Sequence, residues 1–331
     1  MAIMRAEFHR AVPLVIVFAA LVCGASHASG WKPSKPVAFI VGAGAGGSLD
    51  LTARALQQIW DARKTVGNPI IVVDKPGAGN AIAWTYMNDK GADGHTIAIG
   101  TTNLVTNPIT NTHPLSYKDV TLLAILIDDY AAYIVRADSP LKSMQDIVER
   151  LKKDPGALSV GISPGRGASN HTAVGVTFQA AGVRVKDMRL VVYKSAPEAM
   201  TAVIGGEADF SSVSASNVPT YLQAGRIRVL AVTAPKRLGG VLANIPTLRD
   251  QGINATFTNW RAVIGPKNMD KEAVAFWERA LAEAVKTDEW RKEIELNFWA
   301  ANFLTGDKAR KFMHDEDQKF RAIWKEIGTT Q

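Results

Sequence analysis

Val37-Ala38-Phe39-Ile40-Val41-Gly42-Ala43-Gly44-Ala45-Gly46-Gly47-Ser48-Leu49-Asp50 is the stretch on which the reading of this chain turns. Five apolar residues between Pro36 and Gly42 read as a strand buried on both faces, the habit of a parallel sheet. From Asp50 to Trp60, Leu51, Ala55, Leu56 and Ile59 share one helical stripe. Strand, glycine loop and helix therefore follow one another directly. Glycines let a ligand approach the backbone, and the free N–H groups of a helix start favour an anion. Formally, Gly42-x-Gly44-x-x-Gly47 also fits the dinucleotide fingerprint, and Asp74 stands where a ribose-binding acid would.

The same alternation continues outward. Strands are expected at Ile70–Val73, Thr96–Ile99, Leu122–Ile127, Tyr133–Val135, Ser159–Ile162, Leu190–Tyr193, Asp209–Val213 and Val229–Val232. Helices are expected at Ala81–Met87, Ser143–Lys153, His171–Ala181, Pro197–Ile204 and Ser216–Gln223. Strands separated by helices of this length predict βαβ units in an α/β fold with a mostly parallel sheet. Asp270–Lys286, with Asp270 as N-cap, then Thr287–Leu296 and Asp307–Ile327, add a helical C-terminal region. Four of its residues, Trp277, Trp290, Trp299 and Trp324, read as packing anchors. No Gly/Ser linker separates two domains, so the chain is expected to cross between them more than once.

A second glycine loop, Ser163-Pro164-Gly165-Arg166-Gly167-Ala168-Ser169-Asn170-His171, also joins a strand to a helix. It offers backbone donors, the Ser169 and Asn170 side chains, and the Arg166 guanidinium. Two such loops, one on each domain, are placed to close on one anion from both sides, at the carboxyl ends of the strands. His171 is expected to cap or pack at the helix start, and Asp128-Asp129 reads as solvated surface.

The chain has 331 residues, enough for about two domains. With 47% hydrophobic and 21% charged residues it is ordinary globular material. Its single cysteine forbids an intrachain disulfide or a Cys-based metal site, and the histidines show no metal-ligand spacing. The net charge of +7 lacks the clustered Lys/Arg run or aromatic platform of a nucleic-acid surface. No Gly-x-Ser-x-Gly elbow supports a hydrolase. Residues 1–28 read as a secretory signal: Arg5, His9 and Arg10 precede the apolar Ala11–Val22, and Ser26-His27-Ala28 ends in a cleavage site. Cys23 leaves with it. Two rivals stay open, an exported NAD(P)-binding oxidoreductase using the Gly42 fingerprint and a ligand-sensing subunit of a signalling system.

Motifs along the whole mature chain resemble the periplasmic solute receptors of tripartite tricarboxylate transporters, the Bug family. They are Gly46-Gly47 with Asp50, Ala53 and Arg54; Lys75 to Gly79; Asp93-Gly94-His95-Thr96; Asn107-Pro108; Gly165 to His171; Tyr193-Lys194; Gly205 to Asp209; Ala231-Val232-Thr233 with Arg237; Pro246-Thr247; and Trp260-Arg261. The resemblance implies a two-lobed, type II-like Venus-flytrap binding protein with an interdomain cleft. Its lobes would comprise residues 29–130, 131–250 and the return segment 251–331. It implies a periplasmic monomer that captures a small organic carboxylate and delivers it to integral membrane transporter subunits. The carboxylate would be a di- or tricarboxylate, an aromatic acid or an amino acid. It also implies no catalysis, no cofactor, no metal and no nucleic acid.

By motif position, Ala45, Gly46, Gly47 and Asp50 would form one jaw. Gly165, Arg166, Gly167, Ala168 and Ser169 would form the other. Thr101, Thr102, Tyr193 and Ser212 would line the cleft, with Arg166 or Arg261 meeting the far end of a dicarboxylate. Ala45, Ala168 and Ala262 depart from the family's usual Pro, Ser/Thr and Gly, which leaves the ligand undetermined.

Overall fold

The computed structural model describes residues 1–2 and 30–327, so the signal-sequence reading lies outside the described residues. From Trp31 onward the chain forms one unit. No helix among the described residues is long and apolar enough to cross a membrane.

The first half alternates as its sequence pattern demands. It runs β1 (Val37–Val41), α1 (Ser48–Arg63), β2 (Ile70–Asp74), α2 (Ala81–Asp89), β3 (Thr96–Thr101), α3 (Asn103–Ile109) and β4 (Val120–Arg136). The second continues α4 (Met144–Lys153), β5 (Ser159–Ile162), α5 (Ser169–Ala180), β6 (Arg189–Val192), α6 (Ala196–Gly205), β7 (Phe210–Ser214), α7 (Pro219–Gln223) and β8 (Ile227–Val232). The chain then returns through β9 (Thr258–Pro266), α8 (Lys271–Ala284), α9 (Asp288–Leu296), β10 (Ala300–Leu304) and α10 (Gly306–Ile327). Caps set several helix starts. Ser143 and Asp146 form a capping box on α4, Ser195 caps α6, and the Asp270 carboxylate accepts from Glu272 and Ala273 N–H on α8.

The strands form one curled, mixed sheet in the order β2-β1-β3-β9-β4-β7-β5-β6, with β10 and β8 also paired to β4. β1 is parallel to β2 and β3, and β5 is parallel to β6 and β7. β1 is buried on both faces. Val37, Phe39 and Val41 meet the Trp60–Trp277 pair, while Ile40 packs into a second cluster with Trp84 and Trp260. The other half has its own core, where Phe178 stacks edge-on against Tyr133 and Phe210. The four C-terminal tryptophans are all buried, in keeping with packing anchors.

β4 joins the halves. Val120–Tyr130 pairs with β9, and Ala131–Arg136 pairs with β7 and β8. Two strands were expected here, at 122–127 and 133–135, but the chain stays extended through Asp128 and Asp129 because their carboxylates find partners. Asp129, read as solvated, is 1% exposed and ion-paired with Arg261. A second crossing lies beside the first. The Thr233 hydroxyl accepts from Ala131 N–H (2.9 Å) and donates to Phe257 O (2.8 Å).

Three elements were absent from the sequence reading: α3, β9 and β10. The helix expected at 216–223 is a 3-10 turn, Ala215–Asn217, followed by the short α7, which Pro219 starts. α5 begins two residues before the expected His171.

Candidate functional site

The two glycine loops are built alike. In the first, Gly47 N–H donates to Gly44 O, Leu51 N–H donates to Gly47 O, and Gly46 N–H donates to the Asp50 carboxylate at 2.9 Å. In the second, Ala168 N–H donates to Gly165 O, Thr172 N–H donates to Ala168 O, and Gly167 N–H donates to His171 Nδ1 at 2.8 Å. Gly46 (φ 73°) and Gly167 (φ 76°) occupy equivalent left-handed positions, where a side chain is strained. Gly47 and Ala168 are the extended N-caps of α1 and α5, and neither supplies a side-chain cap. The N–H groups of Ser48 and Leu49, and of Ser169 and Asn170, therefore have no acceptor among the described residues.

Those four residues line one cleft. Its other walls include Asn80, Asp129, Tyr130, Lys194, Ser214, Asn217, Asn259 and Arg261, around about 500 Å³ of space including its mouth. The loops are also latched across the cleft. Asn217 Nδ2, after β7, donates to Gly46 O at 3.0 Å. Thr106 Oγ1, on α3, donates to Gly167 O at 2.9 Å.

Two groups hold the loops rather than face the cleft. Asp50 is 2% exposed, and its carboxylate is engaged by Gly46 N–H and by Arg54 Nε at 2.9 Å. His171 is 4% exposed and packs against Trp324. Burial, with a smaller contribution from Arg166, pushes its imidazole down to about 4, so it stays neutral and can accept from Gly167.

The cleft floor carries charge. Arg261 Nη2 lies 2.5 Å from Asp129 Oδ2 and 2.6 Å from Ser48 Oγ, and Nη1 donates to Asn259 O at 2.9 Å. Ser214 Oγ donates to Asp129 from the β7 side at 2.6 Å and 2.7 Å. Burial raises the Asp129 carboxyl, an effect that Arg261, Ser214, the Tyr130 N–H and Ser48 offset only in part. Arg261 and Ser214 both donate to this carboxylate, the contacts its charged form requires.

A family model described as "Tripartite tricarboxylate transporter family receptor" matches residues 52–329. This chain belongs to that family. A relative from Cupriavidus necator, a "UPF0065 protein in gbd 5'region", is 28% identical over 302 residues, covering 89% of this chain and 88% of the relative. The solved structure of the periplasmic binding protein BugD is 23% identical, covering 90% of this chain and 99% of its own, with a TM-score of 0.81. An R. palustris protein solved with adipate is 22% identical and also has a TM-score of 0.81, covering 89% of this chain and 98% of its own. The likeness to these structures establishes the two-lobed α/β architecture.

Within this receptor, the residues expected at the site take several different places. Gly47 and Ser169 line the cleft. Ala45, Gly46, Asp50, Gly165, Arg166, Gly167 and Ala168 shape the loops beside it without lining it, and Arg166 is exposed. Thr101 and Thr102 lie fully buried behind the wall, where Thr101 accepts from Asn80 and Thr102 donates to Asn259, both lining residues. Tyr193 precedes the lining residues Lys194 and Ser195, and Ser212 is buried inside β7. Arg261 belongs to the cleft but is buried and paired rather than solvent-facing. Residues that sequence reading missed include Asn80, Asp129, Tyr130, Ser214, Asn217 and Asn259. Only Asn80 carried a local signal, as an Asn closing a Gly/Pro turn with φ 70°.

Proposed function

We propose that this chain is an exported, periplasmic solute receptor that captures a small organic carboxylate between its two glycine loops and passes it to a membrane transporter. The observation that supports this most is the pairing of two like-built helix starts. Their unpartnered N–H groups converge on one cleft, which is an anion site by geometry and by dipole. The adipate-bound relative fits the same ligand class. The jaws comprise Ala45 to Asp50 and Gly165 to Ser169, with Asp50 and His171 fixing the loop shapes. The lobes comprise residues 29–130 with 251–331, and 131–250. Opening would bend the chain where β4 changes partners and at the Thr233–Phe257 crossing, with the Asn217 and Thr106 latches releasing. A receptor role requires no catalytic group.

Calorimetric titration with mono-, di- and tricarboxylates, aromatic acids and amino acids tests the proposal. At least one acid is expected to bind and, at 100-fold over its Kd, to stabilise the fold by about 2.7 kcal/mol. Asp50→Ala frees the Gly46 N–H and loosens the first jaw, and is expected to weaken that binding by about 1–2 kcal/mol. A panel without a single ligand would remove the carboxylate assignment.

A further inference from the structure

The cleft has one buried cation among its described lining residues, Arg261, and its charge is already met by Asp129 at 2.5 Å. Asp129 in turn accepts from Arg261 and from the Ser214 hydroxyl. The cleft floor is therefore neutral and offers no free cation to a second ligand carboxylate. The remaining lining cation, Lys194, is exposed at the mouth, where water screens it.

What the cleft leaves open are two acceptors and one donor, the buried Arg261 Nε–H. Asn80 and Asn217 both line the cleft, and the Oδ1 of each is buried without a partner. Their amide orientations are pinned. Asn217 Nδ2 faces the Gly46 carbonyl, which only accepts. Asn80 Nδ2 faces Thr101 Oγ1, whose proton goes to Asn103 Oδ1. Each orphaned oxygen therefore calls for a donor. A second carboxylate has only acceptors: it meets the Arg261 Nε–H but faces both unpaired oxygens, whereas a primary amide accepts from Nε through its oxygen and donates its NH2 to the Asn oxygens.

Resting on the receptor reading above, we propose that Asp129 acts as a built-in counter-anion that sets specificity. With one ligand carboxylate held at the loops, the cleft selects monocarboxylates whose far end bears hydrogen-bond donors, such as an amide or hydroxyl, and rejects diacids of the same length. Asp129 occupies Arg261 as the second carboxylate of a diacid otherwise would.

The test compares succinate, glutarate and adipate with their monoamides, by calorimetry, on the wild type, Asp129→Asn and the double variant Asp129→Asn/Arg261→Gln. The wild type is expected to bind the monoamide at least tenfold tighter than the matching diacid. Asp129→Asn, which exposes the Arg261 charge, is expected to reverse that order, and the double variant to restore it. The wild-type comparison stands even where Asp129→Asn fails to fold. A wild type that binds diacids as tightly as monoamides, or tighter, overturns the specificity proposal and leaves the receptor reading intact. A wild type that binds neither series, nor any acid of the broader panel, overturns both.

Discussion

Arg261→Met is expected to destabilise the fold by about 3–5 kcal/mol, the scale for removing one partner of a buried ion pair. Asp129 and Arg261 are each 1% exposed, and they come from the strand that joins the two halves and from the return strand beside it. Removing the guanidinium leaves the buried carboxylate with neutral donors only. It also takes away the bond to Ser48 Oγ, which braces α1 against β9, and the bond to Asn259 O within β9. The penalty carries a pH signature. Without Arg261, burial holds the Asp129 proton to higher pH in the folded state than in the unfolded state. The native variant then binds more protons, so its stability falls as pH rises. Urea unfolding at pH 5 and pH 8 checks this, with the larger loss expected at pH 8. Asp129→Leu added to Arg261→Met removes the stranded charge and is expected to recover most of the stability. A double variant no better than the single one would show that the charges are not what holds this region.

Lowering pH from 7 to 4 is expected to cost the wild type about 3 kcal/mol through His171 alone. The folded imidazole sits at about 4 against an ordinary 6.5. Between those values the native state binds fewer protons than the unfolded state, so the stabilisation is complete above about 6.5 and is lost as pH falls toward 4. The structural cause is direct, because protonation turns Nδ1 from the acceptor of Gly167 N–H into a donor aimed at a donor. Unfolding free energies of the wild type and His171→Gln, measured at both pH values, isolate this contribution from the carboxylates that titrate alongside. The variant is expected to show the shallower loss on acidification. Equal losses in both proteins would contradict a buried neutral His171.

Much of this architecture is written in short-range pattern. The β1 and β5 runs, the two glycine loops and the stripes of α1 and α4 are local features, and all appear where periodicity and caps place them. The misses share a physical cause. β9 reads Thr-Asn-Trp-Arg-Ala-Val-Ile-Gly-Pro, and its polar residues look unlike a buried strand until Arg261 meets Asp129, 132 positions away. Asp129 is unreadable for the same reason, since an acidic pair in isolation is best solvated, and only the fold supplies the counter-charge. The loops were legible as anion sites, whereas the walls were not. Thr101 ends β3 and Thr102 is the N-cap of α3, but Asn80 and Asn259, brought in from a turn and from the return strand, stand between them and the cleft. Asp50 illustrates a finer point. Its place at the helix start marked it as functional, yet it acts through the Gly46 N–H rather than by facing the cleft.

The most direct measurement is amide NMR of the ¹⁵N-labelled receptor during titration with a carboxylate found by calorimetry. Capture between two jaws predicts that the N–H resonances of Ser48 and Leu49 and those of Ser169 and Asn170 shift together, saturate with one common Kd, and move most among all amides. Shifts confined to one loop, or centred on residues outside the cleft, would contradict it.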